Sequence, residues 1–477
     1  MDAVESAAGQ HACQAEFNRV FAHMHAATRS GLPAERRVRE ARLDALAALV
    51  HDKAERFVEA IAADFGHRSA HETRLLEIFP SLESIRHNRS HVGAWMQPQR
   101  RAASIWFRPG YARIIPQPLG VVGIIVPWNY PLLLAVSPLA AALAAGNRVM
   151  IKMSEATPRT GELLAELVAK YFAADDVAVV LGDAAVGAEF ASLPFDHLLF
   201  TGSTRVGHEI MRMAAKNLTP VTLELGGKSP VILGPDYPLH KAVERIIVGK
   251  LMNAGQTCIA PDYVLVPQGR EQAFVAAARA VVAQCYPALA STPDYTAIID
   301  DRHYRRLSGY VSDAEARGAV VEPLSTATAD ATRRLLPPLA LLNVNDDMAV
   351  MQDEIFGPLL PVLPYRDLDA AIAYVNAHPR PLALYCFEND AARRNRVLNE
   401  TTAGGVTVND TILHIAQENL PFGGVGPSGM GHYHGIDGFR TFSKQKAVFY
   451  QSSLNGMSLF NPPYGRLFER LTKFLIR

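Results

Sequence analysis

Cys258 ends the run Asn253-Ala254-Gly255-Gln256-Thr257-Cys258. A lone cysteine is ordinarily a small buried hydrophobe. The small and polar neighbours here suit a more accessible thiol, one able to attack an electrophilic carbon. Such an attack needs a base to move protons and fixed donors for the charge that develops. Glu224 opens Glu224-Leu225-Gly226-Gly227-Lys228-Ser229-Pro230, where two glycines leave a carboxylate room to swing toward a site. The same carboxylate also suits an ion pair at a domain junction. Asn129 lies in Pro127-Trp128-Asn129-Tyr130-Pro131, whose two prolines fix a tight turn. That turn is either a rigid connector or a mount that aims an amide donor at an oxyanion. Cys13, Cys285 and Cys386 sit among apolar residues or in the N-terminal segment, and read as ordinary buried packing residues.

Further runs have the residue types that hold a dinucleotide. Ile151-Lys152-Met153-Ser154-Glu155 places a cation where it would meet ribose hydroxyls or phosphate; a surface lysine is the alternative. Gly202-Ser203-Thr204-Arg205-Val206-Gly207 combines close backbone approach, a capping serine and N–H groups that attract a pyrophosphate. It departs from G-x-G-x-x-G, so a plain capped turn also fits. Glu354-Ile355-Phe356-Gly357-Pro358 and the glycine-dense run from Pro421 to Gly426 complete the set; the latter is otherwise a flexible connector. His87 and His91 stand four apart without the glutamate of H-E-x-x-H, which reads as a helix surface rather than a zinc site. His432 and His434 have no third ligand at a suggestive spacing, so no metal is expected. There is no G-x-S-x-G nucleophile elbow.

The elements that must position these residues change character along the chain. Positions 16–104 read as helical, with Leu43, Leu46, Leu49, Val50, Phe57 and Ile61 at helical spacing. From Arg113 on, short apolar runs alternate with helical patterns. Strands are expected at 120–127, 148–152, 177–182, 197–201 and 221–225. Helices are expected over 132–145, over 159–172 and after Ser203. This alternation implies βαβ units in a parallel sheet, which places ligands at the carboxyl ends of its strands. A second alternation runs over 230–408, with strands at 263–266 and 359–363 and helices over 271–283 and 368–377. The stretch 439–451 ends in a strand-like run. The tail sets Leu467, Phe468, Leu471, Phe474 and Leu475 opposite Arg466, Arg470, Lys473 and Arg477. That is an amphipathic helix, expected to dock on the body or a partner subunit, with a membrane surface as the alternative.

Bulk properties exclude several classes. A chain of 477 residues exceeds one core, since cores stop growing at roughly 250–300 residues. Lys+Arg and Asp+Glu both number 47, so no basic excess exists to neutralise nucleic acid. Four cysteines without a C-x-x-C pair fit a reducing compartment. The N-terminus lacks a basic-then-apolar leader, and apolar stretches break short of the ~20 residues of a membrane span. A cytoplasmic location is expected.

In order and spacing, PWNYP, FTGSTRVG, LELGGKSP, Gly-Gln-Thr-Cys, EIFGP and PFGG resemble the aldehyde dehydrogenase superfamily over nearly the whole chain. The run PFGGVGPSGMGHYHG resembles its class 3 branch. EIFPSLESIRH and NPPYGRLFERL resemble the coniferyl aldehyde dehydrogenases. The resemblance implies an α/β fold with a Rossmann-type cofactor-binding domain (1–104, 117–225 and 412–438), a second α/β catalytic domain (226–411), a small β oligomerisation arm (105–116 and 439–452) and a C-terminal tail (453–477). It implies Cys258 as nucleophile, Glu224 as base, and Asn129 with the Cys258 N–H as oxyanion donors. Pro127, Trp128, Lys152, Ser154, Glu155, Gly202, Ser203, Gly207, Leu225, Gly226, Glu354 and Phe356 would contact the cofactor. Lys152, Ser154 and Glu155 would meet the adenosine ribose, and Glu354 the nicotinamide ribose. Met153 departs from the proline often found there, which bears on the local turn. The implied reaction is NAD-dependent oxidation of an aldehyde to the acid, with NADP also accepted in this branch, in a homodimer. Coniferyl aldehyde, giving ferulate, is the implied substrate, and a long-chain fatty aldehyde the alternative. A non-catalytic binding protein on the same fold, a cysteine hydrolase and a coenzyme A-acylating enzyme are the rivals. The presence of Cys258 and Glu224, and the lack of a histidine in the Cys258 run, weigh against them.

Overall fold

The structure is a computed structural model that describes residues 2–476, with side chains described from Glu16 onward. Two large sheets carry the molecule. The first has six strands in the order Gly429–Met430, Val221–Glu224, His197–Thr201, Val121–Ile125, Arg148–Lys152, Val177–Val180. All pair in parallel except Gly429–Met430, which runs antiparallel along Val221–Glu224. These strands are near-continuous runs of Val, Ile and Leu because helices cover both faces; Val121, Val122 and Ile124 are fully buried. The chain moves outward from Val121–Ile125 through its neighbours, then returns to lay His197–Thr201 on the other side. That reversal is the switch point at which such sheets open a crevice. The Asn129 turn and the Gly202 turn leave the two strands that flank it.

The second sheet has seven strands in the order Val320–Pro323, Leu339–Leu342, Leu359–Tyr365, Tyr263–Pro267, Pro230–Leu233, Ala383–Phe387, Gly405–Val408. Only Val320–Pro323 is antiparallel. A third sheet of three antiparallel strands joins Gln99–Arg101, Tyr111–Pro118 and Ser443–Tyr450. Its main pair keeps register from Ser443 opposite Pro118 to Tyr450 opposite Tyr111. Strand pairing therefore carries this sheet beyond the expected 105–116, taking in positions 99–101 as well. The tail helix Arg466–Leu475 has no buried residue; its Phe474 meets the exposed Trp106 ring edge-on at 6.2 Å. The expected docking on the body is not made within one chain, because this contact leaves most of the apolar face open. Arg477 lies outside the described residues. No described helix is long and apolar enough to cross a membrane.

The helix Leu133–Ala145 is the centre of the first core. Every residue in it except Leu133 is buried, as expected for a helix that is apolar all round. Charge is spent only at its ends. Buried Arg39 donates from Nη1 to the carbonyls of Ala144 and Ala145 at 3.0 and 2.8 Å, a cation at a helix C-terminus. Glu77 Oε2 accepts from the N–H groups of Leu132 and Leu133 at 2.8 and 3.2 Å, an anion at the N-terminus. Glu77 is fully buried with Arg68 at 2.8 Å; burial pushes its carboxyl up and Arg68 pulls it back. Arg68→Met would strand that carboxylate. A loss of about 3–5 kcal/mol is expected, read as a lower denaturation midpoint. An unchanged midpoint would show that the pair is not needed.

Candidate active site

The nucleophile candidate sits behind a strained turn. Asn253, Ala254 and Gly255 all have positive φ, at 53, 51 and 77°, a conformation that costs non-glycine residues about 1–3 kcal/mol each. The surroundings hold it there. Glu72 accepts from the Asn253 N–H through both oxygens. Gln256 donates to Asn253 O and Ala297 O, each at 3.0 Å, and accepts from Ile299 N at 2.9 Å. Thr257 Oγ1 and Tyr130 OH meet at 2.7 Å. Cys258 follows, half-buried. Burial raises its thiol pKa, and the nearby carboxyls of Glu354 and Glu224 push it further up; the Cys258 and Ile259 N–H groups oppose the rise.

Asn129, in the turn that leaves the first sheet, is tied to this strained turn. Its carbonyl accepts from Arg68 at 2.9 Å and from Asn253 Nδ2 at 3.1 Å. Its own amide donates to Gln256 O at 3.3 Å, and an amide carries a second hydrogen for another acceptor. Glu224 ends its strand opposite Thr201 and Gly429. It is buried, and neither carboxyl oxygen has a partner among the described residues. Desolvation alone raises its pKa well above the ordinary carboxylate value. The unpaired Glu224 carboxyl is thus near enough to act on the Cys258 thiol through its charge, and the Asn129 amide bonds to the residue two positions before that thiol.

The dinucleotide candidates lie at or after strand ends of the first sheet or, for Glu354 and Phe356, just before Leu359–Tyr365 of the second. Lys152 is buried and folds back, donating to Met153 O at 2.7 Å and Gly182 O at 2.8 Å, so the surface-lysine alternative does not hold. Ser154 is half-buried and Glu155 exposed. Met153 is buried and keeps the strand pairing, donating to Val180 O at 3.1 Å. Ser203 caps Thr204–Ala215 by accepting from Val206 N at 3.4 Å, and Gly202 N donates to Glu224 O at 3.0 Å. Gly207 is buried against Leu225. Half-buried Pro127 and Trp128 follow their strand, and Phe356 packs edge-on to Trp128 at 5.3 Å. Glu354 carries an enclosed Oε1 without a partner among the described residues. Burial and the Asp262 charge raise its pKa to about 8, while Gly227 N–H, Lys228 and Arg306 pull the other way. A Cβ on Gly226 would lie 1.9 Å from Glu354 Oε2. The missing Gly226 Cβ lets the Glu354 carboxyl approach the backbone closely, and its orphan oxygen fits a hydroxyl-bearing group such as a nucleotide ribose. No group of residues able to hold a metal occurs among the described residues.

The aldehyde dehydrogenase family model matches residues 2–448. The chain belongs to the aldehyde dehydrogenase family. Among curated relatives, a probable coniferyl aldehyde dehydrogenase of Pseudomonas aeruginosa is 57% identical over 436 residues, 91% of each chain. A coniferyl aldehyde dehydrogenase of a Pseudomonas species is 49% identical over 448 residues, 93% of each. Among solved structures, the substrate-bound state of Staphylococcus aureus AldH superposes with a TM-score of 0.89 at 36% identity, covering 96% of this chain and 99% of that one. Mycobacterium tuberculosis aldehyde dehydrogenase complexed with NAD⁺ gives 0.80 at 30%, covering 90% and 88%.

This aldehyde dehydrogenase also uses residues that its motifs do not display. Arg68, Glu72 and Glu77 anchor the two turns, yet each reads in sequence as a surface charge on a helix. Lys250 is buried without a partner for its Nζ among the described residues, and burial lowers its pKa to about 8. The glycine-dense loop is no flexible connector: a Cβ on Gly424 would lie 2.1 Å from Ser428 O, and the loop braces the Glu224 strand through Leu225 N donating to Ser428 O at 3.1 Å. Cys386 is buried as expected, but Cys285 is exposed, because it is the last residue of its helix. The Cys13 side chain lies outside the described residues.

Proposed function

We propose that this chain oxidises an aromatic aldehyde of the coniferyl type to its carboxylic acid, through a covalent thioester on Cys258. The observation that carries the reading is the unpaired Glu224 carboxyl acting through its charge on the Cys258 thiol, with the Asn129 amide bonded two positions before that thiol. Cys258 releases its proton to solvent, its sulfur attacks the carbonyl carbon as the carbon–oxygen π bond breaks, and the carbonyl oxygen becomes an oxyanion in a thiohemiacetal. Asn129 Nδ2 and the Cys258 N–H hold that oxyanion. After oxidation the acyl group remains on sulfur as a thioester. Glu224 then takes a proton from water, which releases the acid. The same carboxyl favours release to water over transfer to coenzyme A.

When bound, a nicotinamide dinucleotide would supply the hydride acceptor, and the positive charge of its oxidised form would favour the thiolate. The residues to hold it are Lys152, Ser154 and Glu155 at the adenosine ribose, Gly202, Ser203 and Gly207 at the pyrophosphate, and Glu354 at the nicotinamide ribose. Pro127, Trp128, Leu225, Gly226 and Phe356 shape the walls. The exposed Glu155 carboxylate favours NAD over NADP, because it repels a 2′-phosphate. The small sheet, with exposed Ile105, Trp106 and Phe449, is proposed to pair a second copy of the chain.

Comparing kcat/KM for coniferyl aldehyde, benzaldehyde and a long-chain aldehyde, by absorbance of reduced dinucleotide, tests the substrate. A clear lead for the long chain would overturn the aromatic reading. Asn129→Ala is expected to lower kcat by about 10²–10³, since one oxyanion donor is lost. Gly226→Ala places a methyl group on the Glu354 carboxylate. Losing one hydrogen bond at this largely protonated carboxyl raises the dinucleotide Kd by about 2- to 10-fold, measurable by fluorescence titration, and an unchanged Kd would remove Glu354 from the ribose site.

A further inference from the structure

A cavity of about 810 Å³ adjoins this site. Leu133 and Leu134, which follow the Asn129 turn, form part of its wall, as does Met252, which precedes the Cys258 turn. Tyr433 also lines it, and its phenol feels the charges of Glu224, Cys258 and Glu418 in turn. Tyr433 therefore stands within range of the charges of both the reacting groups and Glu418.

The wall is mostly apolar, with charged Arg86, Arg245 and Asp410 also on it; two of its polar residues, Glu418 and His87, lie beside Gly435. The Glu418 carboxyl accepts from the Ser84 hydroxyl and the Gly435 N–H, while its Oε2 has no partner among the described residues. His87 Nε2 also lacks a partner there, and it lies 3.1 Å from where a Cβ on Gly435 would stand. Both residues line the cavity. His87 thus differs from the solvated helix surface that its spacing from His91 implied. An acceptor and a ring nitrogen, each beside Gly435 and each unsatisfied among the described residues, cost about 1–3 kcal/mol each. Such atoms are retained where something else completes their bonding.

We infer that Glu418 and His87 form the distal recognition point of the substrate cavity, selecting aromatic aldehydes with a phenolic hydroxyl at the end of the ring remote from the carbonyl. The hydroxyl donates to Glu418 Oε2 and accepts from His87 Nε2–H, so one group satisfies both atoms. An unsubstituted ring or an alkyl chain leaves both unpaired, and sites built to bond a hydroxyl discriminate strongly against analogues that lack it. This selection rests on the aldehyde-oxidising reading of Cys258 and refines its substrate class.

The test compares kcat/KM for coniferyl aldehyde and cinnamaldehyde in the full chain and in Glu418→Leu, Glu418→Gln and His87→Phe. The unaltered enzyme is expected to prefer coniferyl aldehyde by about 10-fold or more. Glu418→Leu should remove that preference by lowering kcat/KM for coniferyl aldehyde, with cinnamaldehyde unchanged or improved. Glu418→Gln keeps an acceptor oxygen and should retain part of the preference, and His87→Phe should lose part of it. Equal losses on both aldehydes, or a preference that survives Glu418→Leu, would overturn the inference while leaving aldehyde oxidation intact. If Glu418→Leu does not fold, full preference in Glu418→Gln and His87→Phe together overturns it. An enzyme that oxidises neither aldehyde would overturn the proposed function itself, and this selection with it.

Discussion

Cys258→Ala is expected to lower aldehyde-dependent turnover by about 10⁴-fold or more, with dinucleotide affinity unchanged. The substitution removes one sulfur and leaves the supports of the turn in place. Asn253 and Gln256 hold the backbone through Glu72, Ala297 and Ile299, and none of those bonds involves the sulfur. The Gly202 N–H donates to Glu224 O, and Glu354 acts on the thiol through its charge, an effect that the substitution removes without breaking a bond. The variant should therefore fold, titrate dinucleotide as the parent does and form no acyl-enzyme. Cys285→Ser is the matched control. That thiol is exposed at a helix end, and its loss should leave the rate as it was. Turnover retained in Cys258→Ala would sink the nucleophile assignment, whatever else the site contains.

Much of the candidate site was legible because parallel sheets confine ligands to strand ends. Asn129, Lys152, Gly202 and Glu224 each follow an apolar run by one or a few positions, or end it. The alternation of runs and helical patterns alone located the expected strand at 197–201 and the helix over 368–377 at their observed bounds. Residues whose role depends on distant partners were not legible. Arg68 meets Asn129, 61 positions away, and Glu72 meets Asn253, 181 positions away. No local pattern marks such a pair, because its energy comes from a contact that exists only after folding. His87 shows the same limit: its spacing from His91 describes the helix, whereas its unsatisfied nitrogen depends on where Gly435 arrives. The small sheet was partly legible, since Ser443–Tyr450 has strand character. Gln99–Arg101 does not, and becomes a strand only by pairing with Tyr111–Pro118.

Glu224→Gln is expected to slow deacylation by about 10²–10⁴ while leaving thiol attack and oxidation in place. A first turnover should then appear as a rapid burst of reduced dinucleotide, followed by a slow steady state with the acyl group trapped on Cys258. Burial gives this base a particular pH dependence. The Glu224 carboxyl is held well above the ordinary carboxylate range by desolvation, so it is protonated and inactive as a base until pH climbs past that raised value. The steady-state rate of the parent should rise with pH through an acid limb displaced upward, and that limb should vanish in the variant. Stability moves the opposite way. A carboxyl whose pKa is raised by folding contributes stability below its unfolded pKa, and loses it as pH rises through the folded one. Glutamine carries no such penalty, so the variant should match or exceed the parent in thermal midpoint at alkaline pH, where the parent bears a buried charge. A slow variant with that midpoint has lost a base and kept its fold. Steady-state rates equal to the parent, with no burst, would instead remove Glu224 from deacylation.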